Sequence, residues 1–450
     1  MDGRINNIDN IKNTIQDIDI DVLKRNRYID NLIGVLWGNA LGDAYGLSTE
    51  FLSKDKVDIL YPMDEEPVIP FPDFKPNRHN TRWQKGDWTD DTDQMILILR
   101  MFIENKGNVD AKLFGEKLRE WVGSGFKELG DIAGMGLGQT VGSVVFHEDF
   151  LENPFSVSKW VWINSNKAMA ANGALMRTSI AGCVNFNNTQ GVLANTIALC
   201  KMTHYDIRCI ISCTTATYII STVLSRLCNV GIDEIVPGTS VAQTVELLIM
   251  DAKRVAKELL FACKMVDKEK LTQYWDEYEK YMSATEFVDL DLSNQSSIGY
   301  TYKCLGAAIL CMRKLAARLS KDEPEQPDVA FRLVLNELIR EGGDADTNAA
   351  VAGSLLGVLI GYNNLPKDML DATPHRAWFE KQMAVLIKEI TLNPDIVYHT
   401  PPFVDPEETD SDHFIDYTSL REEKKKQEAK LKQDQDQDHH HHHHRRCTIM

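Results

Sequence analysis

None of the nine cysteines stands in a Cys-x-x-Cys pair, and most lie in apolar stretches (Cys200, Cys209, Cys213, Cys228, Cys304, Cys311). That pattern fits buried, reduced thiols, and it argues against a zinc knuckle or a disulfide framework. A reducing, cytoplasmic setting is therefore expected. Basic charge is also scarce: 49 Lys and Arg face 66 Asp and Glu, for a net charge of -17. Such a balance argues against a nucleic-acid-binding surface. It leaves any phosphate recognition to backbone nests or metal ions. The first residues lack the apolar core of a secretory signal. No run is expected to reach the ~20 apolar residues that a membrane span needs. Strand signals are few, and with 43% apolar residues in mostly helical periods the fold class is all-α.

Three regions follow from composition. Residues 1–27 are a polar extension, 28–400 carry the periodic core, and 401–450 form a charged tail expected to be disordered. Within the core, Gly34, Gly38, Gly42 and Gly46 recur every fourth residue, so a helix would carry them on one face. Glycine costs about 1 kcal/mol per position inside a helix, so this stripe asks for a close approach of another backbone or a ligand. Pro62 to Trp83 reads as a long loop, and Val241 to Met282 as continuous helical periodicity.

The densest chemistry lies at Gly86-Asp-Trp-Thr-Asp-Asp-Thr-Asp-Gln94, directly before the apolar run Met95 to Ile103. Four carboxylates at the mouth of a buried helix repel one another and resist desolvation. An ordinary acidic N-cap is one reading, because helix N-termini favour Asp, Thr and negative charge. A second cluster of the same design, Gly342-Gly-Asp-Ala-Asp-Thr-Asn348, also opens onto an apolar helix. Together the two would offer Thr89, Asp90, Asp91, Asp344, Asp346 and Thr347, a set of hard oxygens suited to a pair of Mg²⁺ or Mn²⁺ ions. Neither cluster has EF-hand spacing. Gln94 stands where an Asp-Asp-x-x-Asp motif of isoprenoid synthases needs its last acid. On residues alone, the chemistry is that of a metal-dependent hydrolase or lyase.

Other motifs surround these. Gly134-Met-Gly-Leu-Gly-Gln-Thr140 has a GxGxG spacing but no preceding strand, so it is weak as a dinucleotide fingerprint while remaining suited to a phosphate or ribose. Asn172-Gly173 is a turn signal, and His204 is the one histidine within an apolar helical region, where a structural role is the plain alternative.

Taken in order, Gly42-Asp-Ala-Tyr-Gly…Glu50, Gly86-Asp-Trp-Thr-Asp-Asp-Thr, Asn172-Gly-Ala-Leu-Met-Arg, Thr203-His204 and Gly343-Asp-Ala-Asp-Thr-Asn resemble the ADP-ribosylglycohydrolase family. That family includes the dinitrogenase reductase-activating glycohydrolases and the ADP-ribosyl-acceptor hydrolases. The resemblance runs from about Leu32 to about Tyr362. It implies an orthogonal helical bundle around a binuclear Mg²⁺ or Mn²⁺ centre held by Thr89, Asp90, Asp91, Asp344, Asp346 and Thr347. The implied activity is hydrolysis of the glycosidic bond between ADP-ribose and a protein side chain or a related small acceptor. Glu50 becomes the acid–base or water-positioning group, and Asp43 a supporting carboxylate. Gly134, Gly136, Gly138, Gln139 and Thr140 become phosphate-side contacts, with His204 near the ADP-ribose. The segments 52–82 and 251–295 look longer than a minimal member needs and leave the acceptor linkage open. A member that binds ADP-ribosyl groups or serves a structural role without turnover is the alternative.

The tail holds six histidines (His439 to His444) and ends Cys447-Thr-Ile-Met450, which fits a prenylation box. A single farnesyl at Cys447, with thin basic support, would give marginal and reversible membrane association.

Overall fold

The computed structural model describes residues 27–229 and 240–399. Of the 1–27 extension all but Arg27, which opens the first helix, lies outside the described residues, as do the 401–450 tail and Cys447. Among those described, fifteen α-helices and no strand appear, as the helical periods predict. The first eight are α1 (Arg27–Gly46), α2 (Lys54–Leu60), α3 (Asp90–Glu104), α4 (Ala111–Ser124), α5 (Gln139–Val145), α6 (Pro154–Asn164), α7 (Thr189–Lys201) and α8 (Ile207–Asn229). The remaining seven are α9 (Val241–Ala262), α10 (Lys268–Met282), α11 (Thr301–Leu319), α12 (Pro327–Ile339), α13 (Ala345–Ile360), α14 (Lys367–Ala372) and α15 (Arg376–Leu386).

The centre of the fold is the antiparallel pair α1 and α13. Both are buried on nearly every side, which is why their sequences lack a polar face. The glycine stripe of α1 meets a matching small-residue stripe on α13. A Cβ added at Gly38 would lie 2.1 Å from the Gly353 carbonyl oxygen, and one at Gly42 would lie 1.9 Å from that of Ala349. The two backbones therefore touch directly. This contact brings the end of α1, with Asp43, beside the start of α13, with Asp346. Asn31 stitches the pair by donating to the Val358 carbonyl at 2.7 Å, and Asn39 donates weakly to the Ala350 carbonyl at 3.5 Å and more closely to that of Met176 outside the pair.

Two expectations need correction. The helical period over 241–282 is broken: Cys263 is extended and Asp267 caps a new helix by accepting from the Lys270 amide. Acidic Asp267 has no apolar periodicity to betray the break. Second, α8 is long and apolar enough to cross a membrane by length and composition, although no such run was expected. Its window is 89% buried within this fold. Its threonine hydroxyls are satisfied within the helix by carbonyls one turn back, as Thr215 is by Ile211, so they can be buried with the apolar residues.

Candidate metal centre

The start of α3 is held by α1. Thr89 is the N-cap, and its amide donates to both Asp43 oxygens at 3.1 Å. The Thr89 and Thr92 hydroxyls also donate to Asp43, at 2.9 and 2.6 Å, as does the Thr92 amide at 3.0 Å. A carboxylate from another helix thus satisfies donors that α3 cannot satisfy itself. This geometry is that of a supporting carboxylate.

The second cluster is placed by a tight double turn. Gly342 and Gly343 both take left-handed φ, +67° and +73°, where a side chain would be strained. Gly343 exchanges backbone hydrogen bonds with Phe51 and Leu52, at 2.7 and 2.8 Å. Those bonds carry Glu50 to the mouth of α13. The Asn172 amide group donates to Asp344 at 2.7 Å, and Asn172 is itself fixed by an isolated antiparallel bridge between Ala171 and Tyr300.

These contacts converge. Oxygens of Asp43, Asp91 and Asp346 lie within 4.8 Å of one another, as do those of Glu50, Asp344 and Asp346. Asp346 is common to both sets, so they form two adjoining cation-sized cradles. The Thr89 hydroxyl also donates weakly to Asp91 and Asp346, at 3.3 and 3.5 Å. Among the described residues no Lys, Arg or His forms an ion pair with Asp43, Asp90, Asp91, Asp344 or Asp346. Asp91 Oδ1 is buried without any hydrogen-bond partner. Buried anionic oxygens left this way require a counter-charge, and an all-oxygen donor set fits a hard divalent cation.

Electrostatics agree with that fit. Burial, and then the neighbouring carboxylates, push Asp90, Asp91 and Asp346 well above the usual carboxylate range. Burial lifts Asp43 to about 7 despite its hydrogen bonds, and Asp344 to about 6, with Glu50 adding to the latter. A carboxyl whose folded pKa is raised stabilises the ion-free fold most below its unfolded value. That contribution is lost as pH rises through the folded value. A divalent cation binds the deprotonated form and stabilises in the opposite sense. The rise in melting temperature on adding Mn²⁺ to chelated protein should therefore be near zero at about pH 5 and several degrees at about pH 8. A shift equal at both, or larger at the lower pH, would contradict a carboxylate cradle.

Not every acid of the first motif joins the cluster. Asp93 accepts from the indoles of Trp88 and Trp121, and Asp87 faces His375. Of the glycine loop, Gly136 is the member brought against the cluster: a Cβ there would meet Asp90 Oδ1 at 2.2 Å. Gly134 packs on Trp121 instead, Gly138 caps α5, and Gln139 is exposed with Thr140 partly so. His204 lies in the wall beneath Gly173, its Nε2 buried and unpartnered. Burial and the Arg177 charge hold its pKa well below the ordinary value, so it is neutral.

Four contributors were given no role by the sequence reading, although Gln94, Asn172 and Arg177 stand in motifs quoted above. Gln94 donates to Asp90 at 2.8 Å, a contact its i,i+4 spacing could have suggested. Arg177, wholly buried, donates to Gln94 and to Thr203, and Thr203 bonds His204, so a polar chain runs from Asp90 to His204. Asn172 is the third. His79, bonded to Glu50 at 2.6 Å, is the fourth, and nothing in the sequence signals it.

Residues 24–395 match the family described as ADP-ribosylglycohydrolase. The chain is similar to the ADP-ribosylarginine hydrolase Tri1 of Serratia proteamaculans (strain 568), 26% identical over 344 residues, covering 76% of this chain and 75% of that one. It is also similar to the uncharacterized protein YegU of Escherichia coli (strain K12), 23% identical over 342 residues, 74% of this chain and 89% of YegU. Among solved structures, an ADP-ribosylglycohydrolase-related protein complex shares the fold, with a TM-score of 0.52 at 19% identity over 81% of this chain and 99% of that one.

Proposed function

This chain belongs to the ADP-ribosylglycohydrolase family, and from that premise we propose that it hydrolyses the bond between ADP-ribose and an arginine side chain with two Mg²⁺ or Mn²⁺ ions. The observation that carries the reading is the pair of adjoining carboxylate cradles sharing Asp346. Asp91 and Asp346 would hold one ion with Asp43 supporting them, and Glu50's neighbours Asp344 and Asp346 the other, with Asp90, Thr89 and Thr347 completing the set. When bound, two such ions supply charge that fixes ribose hydroxyls and acidifies a water.

The chain's own residues do the rest. Asp43 holds the Thr89–Thr92 turn rigid. Asn172 aims Asp344, and Gly136 and His204 line the side on which the ADP-ribose lies. Glu50 takes a proton from the attacking water as oxygen bonds to the anomeric carbon. That proton is then available to the guanidine nitrogen as the carbon–nitrogen bond breaks. Support for arginine as the acceptor comes from the name of the Serratia relative. Incubation with ADP-ribosylated arginine and serine substrates tests this. Release of free ADP-ribose is expected from the arginine substrate with Mg²⁺ or Mn²⁺, and none with chelator. No release from either substrate under any of these conditions would overturn the reading.

A further inference from the structure

Glu50 is buried beside Asp344 and Asp346, and it adds to the repulsion felt by Asp344, Asp346 and Asp90. Something must hold a carboxylate in that position. The loop between Pro62 and Trp83 supplies it. His79 Nε2 lies 2.6 Å from Glu50 Oε2. The Arg82 guanidinium lies against the ring, its Nη2 2.7 Å from His79 Nδ1 and 3.4 Å from Nε2, and its Nε donates to the His79 carbonyl at 3.3 Å. A carboxylate oxygen accepts and does not donate, so the hydrogen of the 2.6 Å contact is carried by His79 Nε2 and aimed at Glu50.

The turn that presents the ring is braced from several directions. Asn77 Oδ1 accepts from the amides of His79 and Asn80, and Asn80 Oδ1 accepts from the Asn77 amide. The loop's base is tied to α2, where the Tyr61 hydroxyl accepts from the Lys75 amide and the Leu60 carbonyl from Lys75 Nζ. Phe51, at a left-handed φ of +60°, turns its ring edge-on to His79 at 4.7 Å, and Trp83 closes the far face at 5.1 Å. A histidine kept only for solubility needs neither a buried carboxylate partner nor two aromatic walls.

We propose that His79 is the positioning residue of Glu50: its Nε2–H, presented by the braced 77–80 turn and the flanking rings, holds one oxygen of Glu50 at the metal centre and leaves the other for the reacting water. This rests on Glu50 as the acid–base group. It also gives the long 62–83 loop a task, which is to deliver a donor to a carboxylate 29 residues away in sequence.

His79→Phe keeps the ring between Phe51 and Trp83 but removes the donor. It should lower kcat by about 10- to 100-fold, the usual effect of losing a partner that orients a functional group at a metal site. KM should stay within about threefold. His79→Gln, which retains a donor amide, should recover to within about fivefold of the parent. A His79→Phe kcat within about twofold of the parent, or a His79→Gln loss as deep as that of His79→Phe, would overturn the proposal.

A second readout does not need turnover. In full-length protein with ¹⁵N-labelled histidine, the His79 resonances are those lost in His79→Gln. They should show a hydrogen on Nε2 and move when Glu50 becomes Ala. A ring with no hydrogen on Nε2, or indifference to Glu50→Ala, would overturn the contact. If no ADP-ribosyl substrate is cleaved yet these resonances behave as stated, the functional reading fails and the positioning stands.

Discussion

Asp346→Asn should abolish high-affinity divalent-cation binding and lower kcat about a thousandfold, equivalent to ~4 kcal/mol of transition-state stabilisation. Among the described residues no other single carboxylate serves both cradles. The Asn side chain keeps the shape and removes the charge, so the local packing survives. The same change should raise the melting temperature of chelated protein. Burial and then Glu50, Asp91, Asp344 and Asp43 all oppose ionisation of Asp346, and neutralising one member of such a set relieves the others. Gain of stability with loss of function is the usual exchange at a functional site. Calorimetric titration with Mn²⁺ and a thermal melt in chelator check both halves. An Asn variant that binds Mn²⁺ within about tenfold of the parent would remove Asp346 from the centre.

The second large effect is expected at the α1–α13 contact. Gly38→Ala places a methyl 2.1 Å from the Gly353 carbonyl oxygen and 2.8 Å from its carbon. Neither neighbour is a side chain that can swing away, so the helices must separate by more than an ångström. Overpacking of this kind costs about 1–3 kcal/mol or more, against roughly 1 kcal/mol gained in helix propensity. Because Asp43 rides on α1 and Asp346 on α13, the separation should also weaken metal binding, and misplacement of about 1 Å can cost ~10²-fold in rate. Gly123→Ala in α4 is the control: nothing lies within 4 Å of a Cβ there, so that variant should be unchanged or up to about 1 kcal/mol more stable. Urea unfolding of both variants measures this. A Gly38→Ala variant within about 0.5 kcal/mol of the parent would show that the two helices can move apart freely.

Much of the centre was legible in the sequence for one physical reason. Oxygens gathered at a helix start crowd charge into a few consecutive residues, as Thr89 to Asp91 and Asp344 to Thr347 each do. The glycine stripe was legible because four glycines in a helix need a cause. Contacts that depend on tertiary placement left no such mark. His79 and Glu50 meet through a loop whose course has no period, and Arg177 reaches Asp90 only through Gln94. The loop 134–140 reads as one motif but divides in space: Gly134 goes to Trp121 and Gly136 to Asp90. Acids in one run also part company, since the indoles that take Asp93 come from Trp88 and from Trp121, one of them on another helix.

The borrowed cap on α3 bears on the order in which the molecule completes itself. Within its own segment, Thr89 offers the Asp91 amide a long contact of 3.5 Å, whereas Asp43 receives bonds of 2.6 to 3.1 Å. The first turn of α3 is therefore not secure until α1 has settled, and α1 settles on α13, some 300 residues further along the chain. Closing so long a loop is entropically expensive and is completed late. During synthesis the ribosome must release residues as far as Ile360 before the first half of the cradle has its frame. The apolar face of α1 stays open to other partners, chaperones included, for all of that interval.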